Sequence, residues 1–230
     1  MIFGRYADRA EAGQRLAALL ADVIGADRLT AQSAGSSRPV ILALPRGGVP
    51  VAAPIAERFG LDLDIVAVRK LGAPGQPELA MGALARIGDR VEQLRNAAVI
   101  TAIGVSEEAF RGVLRRELQL LDERHRMLRT DRPELAVSDR PVIIVDDGLA
   151  TGTTMLAAIE AVRRAGAAMI IAAVPVGSPR AAELIRSEVD HLVCPQLPET
   201  FRSVGQAYAG FEPVPTAEAR QILDRWGPRS

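Results

Sequence analysis

Apolar side chains come in short blocks along this chain, at residues 39–44, 63–68 (interrupted by Asp64), 142–145 and 169–174, with a weaker block at 191–194. A block that is apolar on both faces fits a strand covered on both sides, as in a parallel sheet. Between the blocks, apolar positions fall at helical intervals over 49–59, 153–165 and 180–187. Ahead of them, residues 8–24 carry Ala12, Leu16, Leu19, Leu20 and Val23 on one stripe, with Asp8 placed to cap the first turn. The polar stretch 32–37 reads as a loop. Strand, helix and strand in repetition predict an α/β fold, a doubly wound and mostly parallel sheet, in a single domain of residues 1–230.

Two regions break this rhythm. Residues 79–100 read as short strands joined by a Gly88-Asp89 turn, an antiparallel excursion from the sheet. Residues 105–130 read as a helical insertion that opens at Ser106-Glu107-Glu108 and is dense in charges of both signs. Its expected role is a solvated face or a contact in a homodimer. A short helix over 216–226 follows near the end.

Composition narrows the function. The 230 residues hold 28 basic and 28 acidic side chains, so there is no cationic surplus for a nucleic-acid backbone, and no nucleic-acid partner is expected. The longest apolar run, 167–176, is half of the ~20 residues that span a bilayer, and Pro175 interrupts it, so no membrane span is expected. The first residues lack a basic segment followed by an apolar one, which leads to a cytoplasmic expectation. Cys194 stands alone beside His125 and His191, too few for a disulfide framework, a structural zinc site or a thiol–histidine pair. Every basic residue but Lys70 is arginine.

Open α/β sheets bind ligands beyond the carboxyl ends of their strands. The block 142–145 runs into Asp146-Asp147-Gly148-Leu149-Ala150-Thr151-Gly152-Thr153-Thr154 and then a helix. Two adjacent carboxylates at a buried strand end are costly unless they meet hydroxyls, cations or backbone donors. The small and hydroxylated residues after them free N–H groups at a helix start, which suits an anion. One loop thus offers acceptors for a sugar diol and donors for a monophosphate, as a ribose 5-phosphate requires. A Walker A lysine and a dinucleotide-type glycine spacing are both missing.

This string resembles the 5-phosphoribosyl-1-pyrophosphate (PRPP) signature of the type I phosphoribosyltransferases: a hydrophobic strand, two acids and a Thr/Gly-rich loop. From the first strand to Phe211 the chain is similar to bacterial members of that family with no assigned substrate. The resemblance implies that Asp146 and Asp147 hold the ribose hydroxyls while Ala150, Thr151, Gly152, Thr153 and Thr154 wrap the 5-phosphate. It implies that the loop after the first block, Pro45-Arg46-Gly47-Gly48, binds pyrophosphate through Arg46, Gly47 and Gly48, with a cis peptide before Arg46. It also implies that Arg69 and Lys70, read here at the end of the second block, face the pyrophosphate. A lid would then run from Gly72 through Pro74, Gly75 and Glu78 to about Leu79, and a small hood would form from 1–35 and 195–215.

The implied reaction is Mg²⁺-dependent displacement of pyrophosphate from ribose C1, through a transition state with positive charge on the sugar. Arg46, Lys70, Asp146 and Asp147 form the implied catalytic set, with no protein nucleophile. Mg²⁺ would sit mainly on PRPP oxygens, without a direct protein ligand and with Asp146 reached through water. The acceptor is expected to be a nucleobase-like small molecule. Ala150 stands where 6-oxopurine enzymes carry an aspartate, which argues against hypoxanthine or guanine. Glu78 is a proton-handling group or a solvated glutamate, and Phe201, Tyr208 and Phe211 form a stacking surface or ordinary core. Alternatives are a regulator that senses PRPP or a nucleotide without turnover, and a phosphoribosyl hydrolase in which water replaces the acceptor.

Overall fold

The computed structural model describes residues 4–24, 38–129, 133 and 135–228. The loop read at 32–37, and the share of the hood assigned to 1–3 and 25–35, lie outside the described residues. In chain order the elements are α1 (Arg9–Ile24), β1 (Val40–Ala43), α2 (Gly48–Phe59), β2 (Leu63–Ile65), β3 (Ala67–Ala73), β4 (Gln76–Ile87) and β5 (Arg90–Arg95). They continue with α3 (Ala97–Ala102), α4 (Glu107–Leu128), β6 (Pro141–Val145), α5 (Thr153–Arg164), β7 (Met169–Ala173), α6 (Pro179–Arg186), β8 (His191–Val193) and α7 (Thr216–Trp226).

A parallel sheet in the order β2-β1-β6-β7-β8 forms the centre. Along β1, Ile41 and Ala43 pack with α1, α2 and α7, while Val40 and Leu42 pack with α5 and α6 on the other face. The same alternation holds for Ile143 against Val142 in β6 and for Ile171 against Ile170 in β7. Both faces are covered, so both parities of each strand must be apolar, and the apolar blocks follow.

A second sheet, β3-β4-β5, is antiparallel and lies under α4. Phe110, Val113 and Leu121 of α4 pack on Leu71, Met81 and Leu84. The charged helix therefore has one packed face and one solvated face. Its start is capped by Ser106, whose hydroxyl accepts the N–H of Ala109.

Two readings of the sequence are corrected. The block 63–68 is not one strand: β2 stops at Ile65, the Val66 N–H bonds back to the Ala43 carbonyl, and the chain passes into β3. Val66 is fully buried in the core beneath the main sheet, so apolarity runs through the break and hides it. Likewise, Val99 and Ile100 belong to α3, where the Asn96 side chain accepts the Val99 N–H and starts a helix.

His125, on the packed face of α4, is 6% exposed, and among the described residues its Nε2 has no hydrogen-bond partner. Burial, with the charges of Arg86 and Arg129 against the weaker pull of Asp89 and Asp122, pushes it down to about 4. The unfolded chain therefore binds more protons between pH 4 and 6.5, and stability falls as pH drops through that window, by up to about 3 kcal/mol. Melting temperatures at pH 7.5 and 5.0 should differ more for the wild type than for His125→Leu. Equal losses in both proteins would reject this source.

Candidate active site

The central sheet changes direction between β1 and β6, because the chain leaves β1 toward β2 on one side and returns as β6 on the other. Strand order alone thus opens a crevice at the carboxyl ends of these two strands. The loop 44–48 and the acids that follow Val145 meet there. The Leu44 N–H bonds the Val145 carbonyl at 2.8 Å, and the peptide between Pro45 and Arg46 is cis. Gly47 lies so close to the second acid that a Cβ there would stand 2.0 Å from Asp147 Oδ2.

Asp146 and Asp147 are half-buried side by side, and Asp146 Oδ1 accepts the N–H of Asp147 at 2.8 Å. Burial pushes Asp146 well above the ordinary carboxylate range, and the charge of Asp147 pushes it further. Burial also raises Asp147, against the opposing pull of Arg9. Two such carboxyls favour a ligand that brings hydroxyl donors or a cation.

Arg9 is the partner that the sequence did not disclose. It reaches from the first turn of α1, 11% exposed, and its Nε and Nη2 sit 2.9 and 2.8 Å from Asp147 Oδ2. Its Nη1 donates to the Glu212 carbonyl at 2.8 Å, and the guanidinium lies 4.0 Å over the ring of Phe211. Tyr208 stacks behind Phe211 and donates its hydroxyl to the Asp147 carbonyl at 2.6 Å. Tyr208 is buried with Tyr6, Ala12, Val176 and Ala207, and Phe201 and Phe211 pack against that cluster. Of the two readings of these aromatics, core packing describes them, with one face of Phe211 taken by Arg9.

Past the acids, Gly152 adopts φ 82° and stands at the start of α5 without any side-chain cap. The first N–H groups of that helix are therefore not claimed by a capping oxygen. Ala150, Thr151, Thr153 and Thr154 are exposed around it, with the Thr151 and Thr153 hydroxyls 3.3 Å apart. Ser178, beyond β7, fixes this loop by donating its hydroxyl to the Ala150 carbonyl at 2.7 Å. The arrangement is open, rich in donors and suited to a phosphate.

The remaining cations converge less simply. Arg69 and Lys70 lie inside β3, paired with Leu84 and Ala83 of β4, and not at a strand end. Arg69 pairs with Glu117 of α4, and Lys70 Nζ lies 3.1 Å from Glu78. The lid residues form the tip of the β3–β4 hairpin: Pro74 and Gly75 make its turn, with Gly75 at φ 75°, as a Pro-Gly turn with positive φ at its second position requires. Gly72 sits at a bulge, against Pro77. A cleft of about 600 Å³ runs between this hairpin and α4, with Arg69, Lys70 and Glu78 on its wall. Arg46 Nη1 donates to Thr216 Oγ1 at 3.1 Å, and Arg124 of α4 donates to the Pro45 carbonyl at 3.0 Å. Arg124 is one of five arginines in α4, and nothing in the local sequence marks it.

Among the described residues, no three His, Cys, Asp or Glu side chains are grouped to hold a metal. The paired acids fit a divalent cation that takes most of its oxygens from a phosphorylated substrate.

Known proteins resemble this chain in sequence and in fold. The model of the phosphoribosyl transferase domain matches residues 11–209. Rv0571c of Mycobacterium tuberculosis, named "Putative phosphoribosyl transferase", is 38% identical over 218 residues, 95% of this chain and 46% of its own length. The chain thus spans about half the length of the curated relatives it matches. The crystal structure of TT1426 from Thermus thermophilus is 36% identical with a TM-score of 0.81, covering 97% of this chain and 100% of that one. The AQ2163 protein from Aquifex aeolicus, 11% identical with a TM-score of 0.50 over 94% of this chain and 84% of that one, shares the fold. On the match over residues 11–209, the chain belongs to the phosphoribosyl transferase domain family.

Proposed function

We propose that this protein is a phosphoribosyltransferase that moves a 5-phosphoribosyl group from PRPP to a small nucleobase-like acceptor and releases pyrophosphate. The observation that carries this reading is the joining of three loops at one crevice: the paired acids, the uncapped start of α5 and the Gly47-Gly48 turn. In this reading Asp146 and Asp147 accept from the ribose hydroxyls, and residues 150–154 donate to the 5-phosphate. Arg46, Gly47, Gly48, Arg69 and Lys70 take the pyrophosphate. Asp147 enters the reaction already oriented by Arg9, so little side-chain freedom is lost on binding. Asp146 would face a Mg²⁺ bound with PRPP, and that ion would supply neutralisation of the leaving group. The chain's own part is electrostatic: guanidinium and ammonium groups meet the charge that develops on pyrophosphate, while the acids face the sugar as it becomes positive. The β3–β4 hairpin, with Gly72, Pro74, Gly75 and Glu78, acts as the lid. The hood is built from the N-terminal arm and residues 195–215.

Incubation with PRPP and Mg²⁺ against a panel of bases, with pyrophosphate release as readout, tests the reading. Release that depends on one base supports transfer. Release without any base would make the protein a hydrolase, and tight binding without release would make it a sensor.

Lys70 gives a finer check. It is paired with a glutamate whose side chain is 95% exposed, so stability should not depend on it. A compact ammonium and a planar fork approach a phosphate differently. Lys70→Arg is expected to keep the wild-type melting temperature and lose about tenfold in turnover. Unchanged turnover would remove Lys70 from the machinery.

A further inference from the structure

Helix α4 carries a cation that none of the assignments above uses. Glu117 and Arg124 are seven residues apart, close to two helical turns, and so share a face of α4. Glu117 bonds Arg69 of β3, and Arg124 bonds the Pro45 carbonyl, so this one helix face touches both segments assigned to pyrophosphate. Arg124 is partly buried there, and burial together with the charges of Arg69 and Arg46 pulls its pKa down. Arg69 and Arg46 thus each place a like charge against Arg124. Glu117 is shared between Arg69 and Arg116, and among the described residues neither Arg46 nor Arg124 has a carboxylate partner.

A chain with equal numbers of acids and bases has enough carboxylates to neutralise such a cluster. Leaving like charges together and half out of water costs stability unless a polyanion completes the group. One bond from Arg124 goes to Pro45, and a guanidinium has five N–H donors, so donors remain for a ligand. The anchor also fixes their position, because Pro45 directly precedes Arg46 and Gly47.

We propose that Arg124 is a pyrophosphate-binding residue, through which the inserted helix adds a third guanidinium to the leaving-group side and favours a diphosphate over a single phosphate. This rests on the PRPP reading above. The test is calorimetric titration of the wild type and Arg124→Gln with inorganic pyrophosphate plus Mg²⁺, and separately with ribose 5-phosphate. Glutamine ends two bonds short of the Nη2 that reaches the Pro45 carbonyl, so it removes both the charge and that bond, and the lysine variant below restores the charge. Pyrophosphate affinity is expected to fall about thirtyfold, with ribose 5-phosphate affinity within about twofold of wild type. Arg124→Lys, which keeps the charge, is expected to recover most of the loss. Wild-type pyrophosphate affinity in Arg124→Gln, equal losses for both ligands, or no recovery with lysine would each overturn the proposal. A wild-type protein that binds neither ligand would instead overturn the PRPP reading itself.

Discussion

Asp147→Asn is expected to weaken PRPP binding about 30- to 100-fold while leaving the fold in place. Charge-assisted hydrogen bonds from the ribose hydroxyls to a carboxylate are each worth about 1.5–3 kcal/mol, and asparagine replaces one acceptor oxygen with a donor. Arg9 still finds an oxygen on the asparagine, so the loss of stability should stay near about 1 kcal/mol. Titration calorimetry and a melting curve on the same sample separate the two effects. Unaltered PRPP affinity would remove Asp147 from the ribose site. A collapse of the melting temperature would instead show that the Arg9–Asp147 pair serves mainly to hold α1 to the sheet.

Gly48→Ala is expected to act on the scaffold that makes the crevice. A Cβ at that position would stand 2.5 Å from the Val145 carbonyl oxygen and 3.1 Å from Asp146 Cα. Both are backbone atoms, one of them in β6, which is hydrogen-bonded on both sides and cannot move aside cheaply. The start of α2 must lift away from β6, at an overpacking cost of about 3 kcal/mol, or about 6–12 °C in melting temperature. PRPP affinity should fall with it, because the same shift separates Gly47 from Asp147. Gly47→Ala meets only a side chain, the Asp147 carboxylate, and should cost less stability. A stable Gly48→Ala protein with wild-type affinity would mean that the two loops need not touch.

The contrast between these positions shows what could be read from the chain. The parallel sheet was legible because burial on both faces leaves no polar parity in β1, β6 or β7. The acids and the Thr/Gly-rich loop were legible because they are contiguous and their chemistry needs no distant partner. The break at Val66 was not, since a residue buried between two sheets is as apolar as one inside a strand. Arg69 and Lys70 shared that error, and their place within β3 emerges only when β4 pairs with it. Arg9 meets Asp147 across 138 residues, and Arg124 meets Pro45 across 79. Such contacts are set by how helices pack on the sheet, and an arginine-rich sequence does not single out the arginine that will make them.

The account stands most directly on the crevice between β1 and β6 being a PRPP site. Calorimetric titration of the wild-type protein with PRPP in the presence of Mg²⁺ measures this without knowledge of the acceptor. The account predicts saturable binding at one site per chain, displaced by ribose 5-phosphate and, independently, by pyrophosphate. No saturable heat, or binding that neither fragment displaces, would contradict it.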